Sequence, residues 1–398
     1  VAASIARDLQ SWGFTAWFAG GCVRDELLGL QPKDYDIATD ATPEQVVDVF
    51  PAAHSVGAAF GVILVRRQNI TVEIATFREE GAYSDHRRPD SVRFSSAERD
   101  AHRRDFTING LFRDPVTGEV HDYVGGRHDL EDGVLRAIGD PDARLNEDHL
   151  RMLRAVRFVA SLGVQLDPMT AEAIARHAPS LQGVSRERIG DEVRQILRGT
   201  GRIRGIALLE ELGLGKAILG CAPESTTLNR LDAVGHAGGE LPAMLAAWAT
   251  DRSGGAADPD EASSLLRRCL LLSNDERDGV SKFLQASRSF LTWHELTVAR
   301  KKRLAAGPWA GIALIMSGVE NHSAASAIRA DIEELSKTGL APPRILDGDT
   351  LLADGMVAGP EFGQILEGVY DAQLEGKIKD LPAALLLARS LAGRTEGR

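Results

Sequence analysis

Near residue 140 the chain changes its periodicity, and no other feature limits its architecture as strongly. Before that point, short β-branched runs bounded by turn residues read as strands, at residues 15–19, 35–38, 62–65 and 71–77. Between them, residues 22–28 read as a short helix. Thr42-Pro43 ahead of residues 44–50 joins an N-cap to a proline at the first helical position, a specific helix start. Beyond residue 140 the strand signal stops. Residues 146–162, 168–178 and 185–197 carry apolar side chains three and four apart, so the remainder reads as helical. A mixed segment followed by helices alone is an α+β chain. No repeat of fixed period occurs, and the turn-rich stretches 199–205, 253–259 and 339–344 are candidate joints.

A length of 398 residues suggests several domains with ample apolar material for cores. Cys22, Cys221 and Cys269 lie far apart and form no C-x-x-C pair, which argues against a zinc site or a disulfide framework. The longest nearly apolar run, 309–319, is well short of the roughly 20 residues that span a bilayer. With no leader-like run before Ile5, the expectation is a cytoplasmic protein without a membrane partner. A net charge of −11 argues at first against nucleic acid. Yet 38 of the 46 basic residues are arginine, the side chain suited to gripping phosphates and base edges. Codon bias of a GC-rich genome accounts for such a ratio equally well.

The most informative stretch runs from Gly20-Gly21-Cys22-Val23-Arg24-Asp25 through Leu28-Gly29 to Asp34-Tyr35-Asp36. Acidic-x-acidic triplets are common in so acidic a chain, and others occur at Asp140/Asp142, Asp258/Asp260 and Asp347/Asp349. Context separates this one. On a strand, residues two apart share a face, so Asp34 and Asp36 would stand side by side. Paired carboxylates repel and favour a hard divalent ion, Mg²⁺ above all, shared with substrate phosphates. A Gly-Gly turn before a helix offers N–H groups to a phosphate, and Arg24 adds a charged fork. Glu73, on the strand 71–77, is a candidate third carboxylate, or simply a salt-bridge partner of Arg78.

Two further elements extend this chemistry. In Arg103-Arg104-Asp105-Phe106-Thr107-Ile108-Asn109, the arginines can grip a triphosphate while Asp105 accepts from ribose hydroxyls; a surface helix start reads the same way in isolation. In Glu147-Asp148-x-x-Arg151-x-x-Arg154-x-x-Arg157, steps of three on a helix starting near Asn146 place Asp148 and three arginines along one drifting face. Pairing of Glu147 with Arg151 explains part of this. Asp148 beside Arg151 has a sharper use. Cytosine and adenine both present an amino donor beside a ring-nitrogen acceptor, whereas uracil and guanine present a carbonyl beside an N–H. An accepting Asp next to a donating Arg would admit C and A and reject U and G.

Other motifs fail. Gly215-Lys216 is no P-loop, because Glu210 and Ala217 break the pattern, and Val298 excludes a zincin start at His294-Glu295. His-Asp pairs occur at His121-Asp122 and His128-Asp129 but not in the helical half, so no metal-phosphohydrolase domain is expected. The basic run 300–303 reads as a solvated helix face or a contact to a phosphate backbone.

In this order the motifs resemble the class II tRNA nucleotidyltransferases, the family of the CCA-adding enzymes and bacterial poly(A) polymerases. The likeness covers residues 15–198 and includes Gly125-Gly126-x-x-Asp129-Leu130 and Arg188-x-x-x-Glu192. It implies a head (1–138) with a five-stranded mixed sheet, then an all-helical neck (139–198), body (199–320) and tRNA-binding tail (321–398). It implies Mg²⁺ held by Asp34 and Asp36, beside which Glu73 stays the candidate third catalytic carboxylate read from its strand. Gly21, Arg24, Arg104, Asp105 and Asn109 would bind the nucleotide's phosphates or ribose, Asp148 and Arg151 its base. Arg154 and Arg157 would line the nucleotide and primer site, and Arg188 with Glu192 would brace the base-reading helix. The implied reaction adds CMP, CMP and AMP from CTP and ATP to the 3′ end of tRNA. The G-x-x-F-G pattern within 54–65 is similar to CCA-adding members and unlike poly(A) polymerases, and the full-length loop 79–89 is unlike CC-adding members; an enzyme adding only the terminal A stays open. Gly110 departs from the family, where alanine is common. A small-molecule nucleotidyltransferase would leave the helical half and the base-reading pair without use, and a non-catalytic RNA binder would not need both aspartates.

Overall fold

Strand pairing within the first 122 residues builds one mixed sheet, here described from a computed structural model. It describes residues 1–55, 61–81, 83, 86, 89, 91–255, 257–357, 359 and 361–395. Gly57 and Phe60 of the G-x-x-F-G pattern, five residues of the loop 79–89 and Pro360 lie outside the described residues. The strands are β1 (Ala16–Ala19), β2 (Ile37–Thr39), β3 (His54–Ser55), β4 (Val62–Arg67), β5 (Ile70–Thr76), β6 (Arg78–Glu80), β7 (Val92–Phe94), β8 (Leu111–Arg113) and β9 (Val120–Asp122). Seven of them form the sheet, in the order β3-β4-β5-β2-β1-β8-β9, while β6 and β7 pair separately. Only β2 and β5 run parallel, with Ile37 opposite Ile74. All three residues of β2 are buried, as its central place demands, whereas β5 alternates buried Val72, Ile74 and Thr76 with exposed Thr71 and Glu73.

The sheet thus has seven strands where five were expected. The two edge strands, β3 and β9, are only two and three residues long, too short to carry an alternating pattern. A second correction concerns the acidic pair. The strand read at 35–38 starts at Ile37, so Asp34 and Asp36 precede it. Asp36 still joins the ladder through its carbonyl, which accepts from the Ala19 N–H at 3.0 Å.

Among the described residues up to 198 the α-helices are α1 (Ala2–Ser11), α2 (Gly21–Leu27), α3 (Pro43–Val49), α4 (Ala97–His102), α5 (Gly126–Glu131), α6 (Pro141–Glu147), α7 (Arg151–Leu162), α8 (Pro168–His177) and α9 (Arg186–Arg198). The start of α3 is a full capping box between Thr42 and Gln45. The helix expected from Asn146 to Leu162 is instead divided. Asp140 caps α6 with Pro141 in its first turn, and Asp148 then turns extended, at φ −147° and ψ 105°. The Asp148 carboxylate accepts from the Leu150 N–H at 3.0 Å and its carbonyl from the Arg151 N–H at 2.9 Å, which launches α7. Local capture of backbone by an Asp side chain competes with helix, and here it wins. Asp148 therefore stands ahead of the face that carries Arg151, Arg154 and Arg157. A short parallel pairing of Val134–Leu135 with Gln165–Leu166 also extends strand structure past residue 140.

A polar clamp with two buried carboxylates joins α5 to the start of α8. Arg136 reaches Asp129 at 3.1 Å and Asp167 at 2.5 Å; Asp129 also accepts from Thr107 at 2.7 Å, and Asp167 caps α8 through the Thr170 N–H. With both carboxylates buried, each needs these partners to offset desolvation.

Contacts divide the chain into two compact units, residues 1–223 with 269–271, and residues 224–268 with 272–398. The first holds the sheet, α1–α9 and two further helices, Arg202–Glu211 and Leu214–Leu219. The second is helical, with Trp248, Phe283 and Phe290 fully buried and a further apolar cluster around Leu346, Leu351, Ile365 and Val369. Its basic run 300–303 is mostly engaged internally: Lys301 with Asp331 at 2.9 Å, buried Lys302 with Thr338 at 2.8 Å, and Arg303 with Glu367 and Asp371 at 2.7 Å each. Among the described residues, no helix is long and apolar enough to cross a membrane.

Candidate active site

Twelve of the fourteen site residues read from the sequence line one cavity of about 650 Å³ in the first unit: Gly21, Arg24, Asp34, Asp36, Arg104, Asp105, Asn109, Asp148, Arg151, Arg154, Arg157 and Arg188. Glu73 and Glu192 do not line it. Glu73 lies on β5 one register step before the Ile37–Ile74 pair, hence beside Asp36. Glu192 is buried behind Arg157 and accepts from its Nε at 2.6 Å.

The Gly20-Gly21 turn admits Arg104 to the cavity wall. Gly20 has φ +73°, and a Cβ there would stand 2.8 Å from the Arg104 guanidinium, so only glycine serves. Gly110, the departure noted above, has a packing reason: a Cβ would come within 2.6 Å of Val124.

Asp34 and Asp36 line the cavity, both exposed. The cavity walls nevertheless draw the Asp36 carboxylate away from bulk water. That desolvation, then the charges of Glu73 and Asp34, push its pKa up to about 6, against a lowering pull from Arg104. Crowded carboxylates with a raised pKa are a site awaiting positive charge. Among the described residues, no three His, Cys, Asp or Glu side chains cluster closely enough to cage a metal ion alone.

A hydrogen-bonded chain fixes Arg24 and Arg154. Arg24 Nη1 donates to Asn109 Oδ1 at 2.7 Å, Asn109 Nδ2 to Asp105 Oδ1 at 3.0 Å, and Arg154 to Asp105 Oδ2 at 2.6 and 2.8 Å. Asp105 Oδ1 also accepts from the Phe106 N–H at 2.8 Å, so both its oxygens are engaged by the protein. Burial alone would raise the Asp105 pKa; the Arg154 guanidinium and the bonds from Asn109 and Arg154 outweigh it and hold the group below the usual carboxylate range.

Asp148 faces Arg188 rather than Arg151. Arg188 grips both oxygens, at 2.6 and 3.2 Å, while Arg151 pairs with Glu147 and donates to the Arg144 carbonyl at 2.8 Å. Arg188 and Glu192 do not brace by bonding each other. Each reaches from α9 to a different partner, Asp148 and Arg157, and the two bonds together fasten α9 to the cavity wall.

Two contributors, Asp100 and Phe158, escaped the sequence reading, and Arg103, read there as a triphosphate grip, joins them at the site. Asp100, 1% exposed, holds Arg103 through one oxygen at 2.7 Å and Arg104 through the other at 3.0 Å. Its spacing of three and four from those arginines was a legible helical signal. Arg103 lines the cavity and bonds Glu80 at 3.0 Å. Phe158 also lines it, beneath three guanidinium groups.

Known proteins resemble this chain in sequence and in fold. Residues 16–136 match the model of the Poly A polymerase head domain, and residues 163–227 that of the probable RNA and SrmB-binding site of polymerase A. The chain is 43% identical over 230 residues to a CCA-adding enzyme of Geobacillus thermodenitrificans (strain NG80-2), a match spanning 58% of this chain and 57% of that protein. With the crystal structure of the Bacillus stearothermophilus CCA-adding enzyme in complex with CTP it superposes at a TM-score of 0.74 and 27% identity, covering 100% of this chain and 98% of that one. A CCA-adding enzyme of Geobacillus kaustophilus (strain HTA426) is 32% identical over 400 residues, covering 95% of this chain and 93% of the relative. By that near full-length likeness, the chain belongs to the CCA-adding enzyme family of tRNA nucleotidyltransferases.

Proposed function

We propose that this protein completes the 3′ end of tRNA by adding CMP, CMP and AMP from CTP and ATP. The observation that carries the reading is one cavity lined together by the carboxylates of Asp34 and Asp36, by Asp148 and Arg151, and by further arginines. That set answers each part of a nucleotide: reacting phosphate, charged tail and ribose, base. In the reaction the terminal hydroxyl oxygen of the primer forms a bond to the α-phosphorus, the α–β bridging bond breaks, and pyrophosphate leaves.

The side chains divide this work. Arg24 and Arg104, held by Asn109 and Asp100, bind and orient the phosphates, as fork-shaped donors do best. Arg188 holds both oxygens of the Asp148 carboxylate and orients it. An ionised carboxylate only accepts, so it welcomes the amino group of C or A and repels the carbonyl of U or G. Arg151, steadied by Glu147, donates to the ring nitrogen. Arg154 and Arg157 line the nucleotide and primer side.

The donor set at Asp34 and Asp36 fits a hard divalent ion, Mg²⁺ in this reading, with substrate phosphates and water completing its shell. Bound there, it would neutralise phosphate charge and acidify the attacking hydroxyl. Glu73, beside Asp36, adds a third carboxylate to that pair. In this reading residues 1–138 are the head, 139–198 the neck, 199–320 the body and 321–398 the tail, with the tail contacting tRNA. The CCA-adding relatives favour complete CCA addition over terminal-A addition, CC addition or poly(A) synthesis. Labelled CTP and ATP incubated with tRNA lacking its 3′ end test the proposal. Incorporation of C and A alone supports it; no incorporation, or equal use of UTP and GTP, overturns it.

A further inference from the structure

We propose that Phe158 is a positioning residue whose ring is the shared platform that aims Arg24, Arg154 and Arg157 at phosphate oxygens. The inference rests on the reading of the cavity as a nucleotide site. Phe158 is 6% exposed, and what it exposes faces the cavity. The guanidinium carbons of Arg24, Arg154 and Arg157 lie 5.1, 5.4 and 4.3 Å from its ring centroid. Phe106 packs against it nearly edge-on, centroids 5.9 Å apart at 80°, and fixes the ring plane.

The arrangement solves an electrostatic problem. Three like charges converge here, one from α2 and two from α7, and each already has a carboxylate partner: Asp25, Asp105 and Glu192 respectively. A further carboxylate at the centre would hold them but cancel the charge that phosphates need. An aliphatic side chain would leave the charge but not hold the forks. An aromatic face attracts each cation without neutralising it. Phe158 also ties α2 to α7, so the arginines from separate elements keep one geometry before any ligand arrives.

The ligand chemistry is the phosphate oxyanion, and two sources carry it: the triphosphate of the incoming nucleotide and the backbone phosphates of the primer. The test replaces Phe158 in the full-length protein with difluoro- and pentafluorophenylalanine, which keep the ring's shape while draining its negative face, and with leucine. Equilibrium binding of CMP, CDP and CTP is measured without tRNA, and KM for tRNA separately, alongside thermal melting. We expect CTP affinity to fall stepwise with fluorination and about tenfold in Phe158→Leu, with CMP changed by no more than about twofold. A stepwise rise in KM for tRNA with unchanged CTP binding would assign the platform to the primer's phosphates and equally support it. Should Phe158→Leu fail to fold, the fluorinated series carries the test alone. Affinities flat across fluorination in both arms, or equal losses for CMP and CTP, would overturn the proposal. Wild-type protein that binds CTP but transfers no nucleotide would instead contradict the reading of the function, and the binding series would still judge Phe158.

Discussion

Arg188, on α9, grips both oxygens of the Asp148 carboxylate forty residues earlier in the chain, at 2.6 and 3.2 Å. Asp148 stands in the break between α6 and α7, where no helical ladder orients it. Arg188 supplies the orientation from outside. If base choice depends on Asp148 acting only as an acceptor, then Arg188 guards that choice. Arg188→Ala should lower the preference for CTP and ATP over UTP and GTP by about tenfold or more, the worth of a lost bidentate charged pair. Ratios of kcat/KM for the four nucleotides check this, and unchanged ratios would count against it.

Asp100 should matter although it touches no substrate in this account. Its two oxygens separate and hold Arg103 and Arg104. Asp100→Asn should raise the KM for CTP and ATP by about tenfold, because a neutral amide cannot anchor two forks. Its kcat should change less. Steady-state kinetics on the purified variant separate the two parameters.

Acid should weaken the first unit through Asp105. Its pKa is lower folded than unfolded, owing to Arg154 and Asn109. The stabilisation is therefore complete above the unfolded value of about 4 and is lost as pH falls through the lower folded value. Asp105→Asn should cost about 3 kcal/mol at pH 7, since it leaves Arg154 without its partner. The gap between variant and wild type should narrow below about pH 4. Urea unfolding at pH 7 and pH 3 measures both.

The basic run at 300–303 should serve the fold rather than RNA. Arg303 bonds Glu367 and Asp371 and lies 4.9 Å over the Tyr370 ring, joining helix Val298–Ala305 to helix Phe362–Leu374. Arg303→Gln should lower the melting temperature by a few degrees, with an effect of about 1 kcal/mol, and leave the KM for tRNA unchanged. A raised KM with unaltered melting would reverse that assignment.

Much of the fold was legible because local chemistry decided it. The Thr42-Pro43 helix start, the Gly20-Gly21 turn and the loss of strand pattern near residue 140 each depend on neighbours in sequence. The candidate site was legible for the same reason, as its residues come in short motifs. What escaped depends on distant partners. Spacing pointed Asp148 to Arg151, three residues on, but packing of α9 brought Arg188, and Arg151 turned to Glu147. The break at Asp148 escaped because a side chain capturing its own backbone looks, in sequence, like any helical Asp. The edge strands β3 and β9 escaped because two or three residues hold no period. Net charge misdirected the reading, since −11 is a sum over the surface while the cavity concentrates arginine.

The central claim, a cavity that selects C and A and transfers them to tRNA through Asp34 and Asp36, is tested most directly by one comparison. Purified wild-type and Asp36→Ala proteins are given tRNA ending before the CCA, or tRNA ending in CC, with each labelled nucleoside triphosphate in turn and a divalent cation. The account predicts that wild type adds two C and one A to the first substrate and one A to the second, while Asp36→Ala binds tRNA and adds nothing. Incorporation of A only on the CC-ending tRNA would narrow the activity to terminal-A addition. Undiminished transfer by Asp36→Ala, or incorporation of U and G as readily as C and A, would contradict the account.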